Sequence, residues 1–378
     1  MKAAAALSQH PIASLAVGEV AGSVLEQLGT HPVDLLIVFI EGSHTGAVED
    51  IASTLRKLIS PNTMVGTTAS GVLGQHVEVE DEPSLSIWAA TGVDASALRI
   101  EPGKLEPNGG WPPSAGGQDQ HAILFADPFS TPIDRVLEAA AGASPKLSIH
   151  GGLSSAGRGP GGNRLLLDGI VFEDGAVGVD LGSTAATSVV SEGCRPVGNP
   201  YTVTRASENC ITELASQRPL DLLNEVAANA SEQDQALLAN GVHIGIAFDE
   251  GQVEQFDRGD FLIRGVLGAD PSTGAISIGT AIDVGATVQF HVRDAATASE
   301  DLSSLLVEAG RSDVSGALCF TCNGRGERLF AMRGHDAELI HTLTNSPATA
   351  GMFCAGELGP VRSENHIHTF TASALLFH

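Results

Sequence analysis

Three six-residue frames carry a glycine at each end: Gly66-Thr67-Thr68-Ala69-Ser70-Gly71, Gly152-Leu153-Ser154-Ser155-Ala156-Gly157 and Gly351-Met352-Phe353-Cys354-Ala355-Gly356. Glycine admits positive φ and lets a ligand or a second backbone approach where a Cβ would collide. The hydroxyls of Thr67, Thr68, Ser70, Ser154 and Ser155, together with turn N–H groups, are of the kind that holds a small polar ligand. The alternative is architectural, glycines that only let strands bend and pack closely. The first frame has phosphate-loop spacing, but Val72 and Leu73 stand where such a loop carries Lys and Ser or Thr, which argues against nucleotide hydrolysis.

A second stretch with chemical content is Cys322-Asn323-Gly324-Arg325-Gly326, which follows an apolar run. A guanidinium binds a carboxylate through two parallel hydrogen bonds, so Arg325 is either a ligand contact or the partner of one of the chain's own acids. Glu357, directly after the third frame, would complement it by taking an ammonium group. Cys319 and Cys322 have Cys-x-x-Cys spacing, yet strand positions three apart point to opposite faces, and no second pair completes a zinc set. A nucleophilic Cys322 would need a base from His335, His366 or His368. The 13 histidines, His368 among them, form no paired metal-binding spacing. His243 and His291, on apolar runs, are the conceivable axial ligands of a haem.

The elements around the frames repeat as well. Each frame follows an apolar run (Leu35–Phe39, Ala122–Phe125, Ala317–Phe320) and then a helical pattern. Phe39 to Gly66 is 27 positions, Phe125 to Gly152 is 27, and Phe320 to Gly351 is 31. Further apolar runs follow at 85–90, 165–172 and 367–377. The pattern predicts three strand–helix–glycine turn–strand units. Their covering helices present Ile51, Leu55, Leu58 and Ile59, or Ile133, Val136, Leu137 and Ala140, on one face. Residues 101–119, rich in Pro and Gly, read as a surface connection, and the loop Gly157–Arg164 as either a hairpin loop or an anion-contacting lid. Small polar residues from Gly182 to Glu192 read as a joint, dividing the chain into 1–190 and 191–378.

Composition bounds the partners. The chain has 378 residues, 43% hydrophobic, 17% charged and only 4% aromatic, which gives a globular protein whose core rests on aliphatic side chains. A formal net charge of -25 with no basic run argues against nucleic acid and anionic membrane surfaces. Five cysteines without a secreted-scaffold spacing favour free thiols in a reducing compartment. No apolar stretch approaches a membrane span, so neither a signal peptide nor membrane insertion is expected, and the reading is cytoplasmic.

Several of these segments in their order resemble the FIST sensory proteins. They are Val33–Phe39, Val65–Val72, Gly193-Cys194-Arg195-Pro196-Val197-Gly198 with Tyr201–Thr204, Arg293-Asp294-Ala295, Cys322–Gly326, Gly356-Glu357-Leu358-Gly359 and His368–Thr371. The resemblance runs over nearly the whole chain, an N-type half followed by a C-type half. It implies a sensing module of signal transduction that binds small molecules such as amino acids. With both halves filling the chain, signalling would pass through a separate protein partner or not occur at all. Some relatives are described as haem-binding nitric oxide sensors, which keeps haem as an alternative.

The expectation is an α/β (α+β) protein of two similar halves, each a mixed, largely antiparallel sheet covered by helices. Its pocket would lie where the glycine turns converge, lined by Gly66, Thr67, Thr68, Ser70, Gly152, Ser154, Ser155, Cys322, Asn323, Gly324, Arg325, Cys354, Gly356, Glu357 and His368. The function expected is non-enzymatic sensing of an amino acid or small carboxylate, with no catalytic residue, no metal and no obligatory cofactor. The alternatives are haem sensing and an enzyme using Cys322.

Overall fold

All seven residues of Leu35–Glu41 are buried, so this strand is covered on both faces and reads as an unbroken apolar run rather than an alternation. It lies parallel to Thr63–Ala69, and a parallel neighbour requires a crossover. Helix Val48–Ile59 supplies it, burying Val48, Ile51, Ala52, Leu55 and Ile59. Leu58 falls outside that stripe and is 49% exposed, contrary to the sequence reading. The computed structural model describes residues 1–104, 120–248, 256, 259–310 and 313–378, so most of the Pro/Gly-rich connection lies outside the described residues.

The arrangement recurs along the chain. The first stretch contains β1 (Lys2–Ser8), α1 (Ala13–Leu28), β2 (Leu35–Glu41), α2 (Val48–Ile59), β3 (Thr63–Ala69), β4 (Gly71–Gly74), β5 (Val77–Glu80) and β6 (Leu85–Thr91). The second contains β7 (Ser96–Ile100), β8 (Gln120–Ala126), α3 (Ile133–Ala143), β9 (Leu147–Leu153), β10 (Leu165–Leu167), β11 (Ile170–Phe172) and β12 (Ala176–Asp180). The third opens with β13 (Ala186–Glu192), a strand where the sequence reading placed a joint. The chain then makes β14 (Cys194–Ser207), β15 (Cys210–Leu214), α4 (Pro219–Asn229), α5 (Glu232–Ala239), β16 (His243–Ala247), β17 (Phe261–Ala269), β18 (Ile276–Ile278) and β19 (Thr287–Arg293). It ends with α6 (Ala295–Ala309), β20 (Gly316–Cys322), α7 (Glu327–Phe330), α8 (His335–Thr344), β21 (Thr349–Cys354), β22 (Glu357–Val361), β23 (Glu364–His368) and β24 (Thr371–Phe377).

Three mixed sheets result, with strand orders β1-β6-β2-β3-β10-β11, β7-β12-β8-β9-β22-β23 and β13-β24-β20-β21-β4-β5. Each is built around one parallel pair, β2 with β3, β8 with β9, β20 with β21, and each ends in a short hairpin. No hairpin stays with the pair it follows. The β4-β5 hairpin completes the third sheet, β10-β11 the first and β22-β23 the second, a cyclic exchange that links all three sheets.

The parallel pairs also share one packing detail. Phe39, Phe125 and Phe320 meet with ring centroids 5.6, 6.2 and 5.9 Å apart, at the centre of a fully buried apolar cluster. Such spacing lets aromatic edges meet faces and bury large apolar area together. The residue before each phenylalanine pairs with a glycine: Val38 with Gly66, Leu124 with Gly151, Cys319 with Gly351. A Cβ on any of these glycines would land on the facing carbonyl oxygen of Val38, Leu124 or Cys319. The structural equivalent of Gly66 is therefore Gly151, one residue before the glycine that the sequence frame picks out.

The fold is α+β with mixed, helix-covered sheets. Its two compact units are unequal and are not separated by one cut: residues 1–191, 302–367 and 371–378 form the three-sheet unit, and 192–301 with 368–370 form the other. The chain leaves the first unit at residue 191 and returns to it at Leu302, so residues 191–378 are shared between the two units. The second unit is a closed barrel of order β14-β15-β18-β17-β16-β19 with α4 and α5. Its core holds Val203, Ile211, Leu214, Ile244, Val288 and Phe290. Among the described residues no helix is long and apolar enough to cross a membrane.

Candidate functional site

In the three-sheet unit the side chain two residues past each phenylalanine, at or just beyond the end of the first strand of each parallel pair, closes the following turn. Glu41 Oε2 accepts the Ser43 amide at 2.9 Å, Asp127 Oδ2 the Phe129 amide at 3.2 Å, and Cys322 Sγ the Gly324 amide at 3.4 Å. Donors at a strand end need partners once buried, and a short acceptor two residues upstream supplies one.

The second strands of the pairs bring the predicted hydroxyls and glycines together. Thr67 Oγ1 and Ser154 Oγ lie 2.6 Å apart, both fully buried. Thr68 Oγ1 accepts the Arg164 amide at 2.9 Å, Ser155 Oγ donates to Phe353 O at 2.5 Å, and the Ser70 amide donates to Ser155 Oγ at 2.9 Å. Cys354 Sγ lies 2.5 Å from where a Gly152 Cβ would be, and Gly356 O accepts the Leu153 amide at 2.8 Å. Asn323 donates its amide to Cys354 O at 2.9 Å. The turns converge, and their hydroxyls and amides are engaged with one another.

Arg325 is fully buried. Its Nε meets Asp336 Oδ2 and its Nη2 meets Asp336 Oδ1, both at 2.8 Å, so the carboxylate facing it is the protein's own. Thr321 Oγ1 adds a bond to Asp336 Oδ2 at 2.6 Å, and His335, stacked on Phe330 at 3.4 Å, places Nδ1 2.9 Å from Oδ1. Burial opposes the charge on Asp336, but the Arg325 charge and hydrogen bonds overcome it and hold the carboxyl below its usual range. Glu78, from β5, accepts the amides of Asp336 and Ala337 at 2.9 and 3.0 Å and so caps α8. Burial and the nearby Asp336 charge push the Glu78 carboxyl well up.

Glu357 is also sealed from water. Its Oε2 accepts from Thr371 Oγ1 at 2.7 Å and from the Thr371 amide at 3.2 Å, while Oε1 has no hydrogen-bond partner. Burial pushes its carboxyl to about 8, so near neutral pH it is a protonated acid rather than an anion for an ammonium. Cys319 packs with Leu306 and Ile340, whereas Cys354 belongs to the phenylalanine cluster. Burial first, then nearby carboxylates, pushes both thiols well above the ordinary range. His368 falls in the barrel unit. Among the described residues no three His, Cys, Asp or Glu side chains are grouped to hold a metal.

The barrel unit presents a concave site that the sequence reading did not place. Strand β14 loses register with β19 between Val197 and Tyr201, so Gly198-Asn199-Pro200 bulge outward. Gln289 Nε2 pins the bulge through Gly198 O at 2.7 Å, and Gly198, at φ +76°, leaves room where a Cβ would meet Val226 Cγ2 at 2.7 Å. Between the bulge and the α4–α5 junction lies a cleft of about 340 Å³, with Val197, Tyr201, Glu225, Val226, Asn229 and Asp234 in its wall. Arg195 pairs with Asp234 and, at 2.6 Å, with Asp294. Burial, then the charge of Glu225, pushes the Tyr201 hydroxyl up, so it stays protonated. The signal available in the sequence was Gly198-Asn199-Pro200, a turn triplet in an otherwise strand-like run. Asp336 and Glu78 were missed too, one at a helix start and the other in a Val-Glu alternation.

Among curated proteins, an uncharacterized protein of Mycobacterium tuberculosis (strain ATCC 25618 / H37Rv) is 39% identical over 384 residues, covering 100% of both chains. Another, from Mycobacterium bovis (strain ATCC BAA-935 / AF2122/97), is 39% identical over 375 residues, covering 97% of this chain and 96% of the relative. The FIST N domain matches residues 34–217 and the FIST C domain residues 219–360, and with nearly the whole strand–helix framework inside those spans, the chain belongs to the FIST family.

Proposed function

We propose that this protein is a non-enzymatic sensor that binds a small polar molecule in the barrel cleft and signals through a separate protein partner. FIST domains are associated with sensory signal transduction. The observation that carries the reading is the cleft beside the β14 bulge, whose roughly 340 Å³ lies within the usual range for small-molecule sites. The converging glycine turns, by contrast, spend their polar groups on one another, and Arg325 is held by Asp336. An amino acid remains the best class of ligand, while a plain carboxylate would find Glu225 and, among the described residues, no unpaired cation in the cleft wall. Calorimetric titration with amino acids and small carboxylates tests this: a saturable binder weakened by Val226→Phe, which fills the cleft, is expected. A folded sample that binds none of them would overturn it.

A second reading, haem, has one observation in its favour. His243 and His291 are register partners on β16 and β19, and burial lowers both imidazoles to about 4, leaving them in the neutral form that ligates iron. The surroundings fit a macrocycle poorly. His243 packs edge-on to Phe370 at 4.4 Å, His291 packs against Phe261 at 5.0 Å, and His291 also fills the space over Gly245. Haem would have to displace one of these rings. Reconstitution that yields no Soret band removes this reading.

A further inference from the structure

We propose that the cleft beside the β14 bulge selects a small aliphatic ammonium ligand, a diamine or a basic amino acid, with Glu225 as the cation's partner. This rests on reading that cleft as the ligand site.

The charges decide the class. Of the two carboxylates in the wall, Asp234 is paired with Arg195, a charge it shares with Asp294. Glu225 has no cationic partner among the described residues, so its charge is uncompensated. The wall also offers acceptors. Asn229 donates one Nδ2 hydrogen to Glu225 O at 2.9 Å and keeps Oδ1 to accept, and Ser231 Oγ accepts the Asp234 amide at 3.1 Å. An ammonium group brings three donors and no acceptor, which matches such a wall, whereas a carboxylate brings only acceptors and a like charge.

Shape narrows it further. Val197 and Val226 give the cleft an apolar side that suits methylene groups, and the Tyr201 ring adds a face against which a cation can rest. The volume of about 340 Å³ is at the small end of ligand sites, which suits a five-carbon diamine or lysine. The net charge of -25 further enriches cations near the surface.

The test is calorimetric titration of the intact chain at low salt with 1,5-diaminopentane, lysine, leucine and glutamate, on wild type, Glu225→Gln and Val226→Phe. The diamine and lysine should bind, and Glu225→Gln should weaken both by roughly tenfold or more, the loss of a charge-assisted hydrogen bond. Raising salt to about 0.5 M should weaken them as well. Glu225 is exposed at the surface, so its substitution leaves folding intact. If leucine or glutamate binds as tightly as lysine, loses binding with Val226→Phe and ignores Glu225→Gln, the ammonium class is overturned while the cleft remains a ligand site. If no compound binds, both fall.

Discussion

Arg325 and Asp336 face each other fork to fork, Nε to Oδ2 and Nη2 to Oδ1 at 2.8 Å, with both side chains sealed from water. Eleven residues apart in sequence, they join the turn after β20 to the first turn of α8. Removing one partner of a buried pair strands the other charge and costs about 3–5 kcal/mol, whereas replacing both by apolar groups costs far less. Urea unfolding should therefore find Arg325→Met and Asp336→Leu each strongly destabilised and the double variant less so than their sum. Strict additivity would show that the two side chains do not act as a pair.

Proton linkage gives a second expectation, with a definite sign. Glu357 ionises at its ordinary 4.5 in the unfolded chain but holds its proton to about 8 when folded, because it is buried. Across that window the folded state binds more protons, so its stability falls as pH rises and levels off beyond about 8. The largest slope for one such group is about 1.4 kcal/mol per pH unit. Glu78 and Glu192, raised mainly by burial, act in the same direction. Asp336 acts oppositely: depressed below its ordinary 3.8, it withdraws stability only as pH falls beneath that value. His150, His243 and His291, held neutral by burial, oppose the carboxyls up to their ordinary 6.5. The urea midpoint should therefore decline from about pH 7 to 8, and Glu357→Gln should flatten part of the decline. A midpoint that rises over this range contradicts the protonated carboxyls.

Glycine positions can be ranked by what faces them. At Gly351 a Cβ would land on Cys319 O inside a parallel strand pair, where neither backbone can retreat. Gly351→Ala should cost about 3 kcal/mol or more, as overpacking does at its upper end. Gly18, in α1 with nothing within 4 Å, is the opposite case, and Gly18→Ala should stabilise by about 0.5–1 kcal/mol. Thermal melts of the two variants should move in opposite directions; a harmless Gly351→Ala would mean that strands β20 and β21 sit farther apart.

These glycines also show how far the sequence could be read. The strand–helix–strand units were legible because doubly covered strands such as Leu35–Glu41 appear as unbroken apolar runs, and α2 and α3 keep a clean helical stripe. Register was off by one in the second unit, because Gly151 and Gly152 are adjacent and only contact with Leu124 O tells them apart. Hairpin exchange left no trace, since three- or four-residue strands such as Leu165–Leu167 carry too little pattern to name a remote partner. Convergence of the turns was foreseeable from their repetition. That Thr67 and Ser154 would satisfy each other was not, because hydroxyl partners are fixed by packing between sheets rather than by either local sequence.

The thiols offer a last test, which bears on the enzymatic alternative built on Cys322. Alkylation needs thiolate and access, and both are denied to Cys319 and Cys354, which are fully buried and raised by burial and by carboxylates including Glu357. Cys322 is 6% exposed; its sulfur accepts the Gly324 amide at 3.4 Å, and its thiol shares a hydrogen bond with the buried Glu357 carboxyl. Cys210, half-buried on the barrel, is the most accessible of the five thiols. Brief treatment of the native protein with iodoacetamide near neutral pH should therefore label Cys210 first, with Cys319, Cys322 and Cys354 modified only on unfolding in urea. Peptide mass mapping resolves the sites. Rapid native labelling at Cys322 ahead of Cys210 would point to the neighbouring Glu357 carboxyl as its activating group and reopen nucleophilic chemistry at the end of β20.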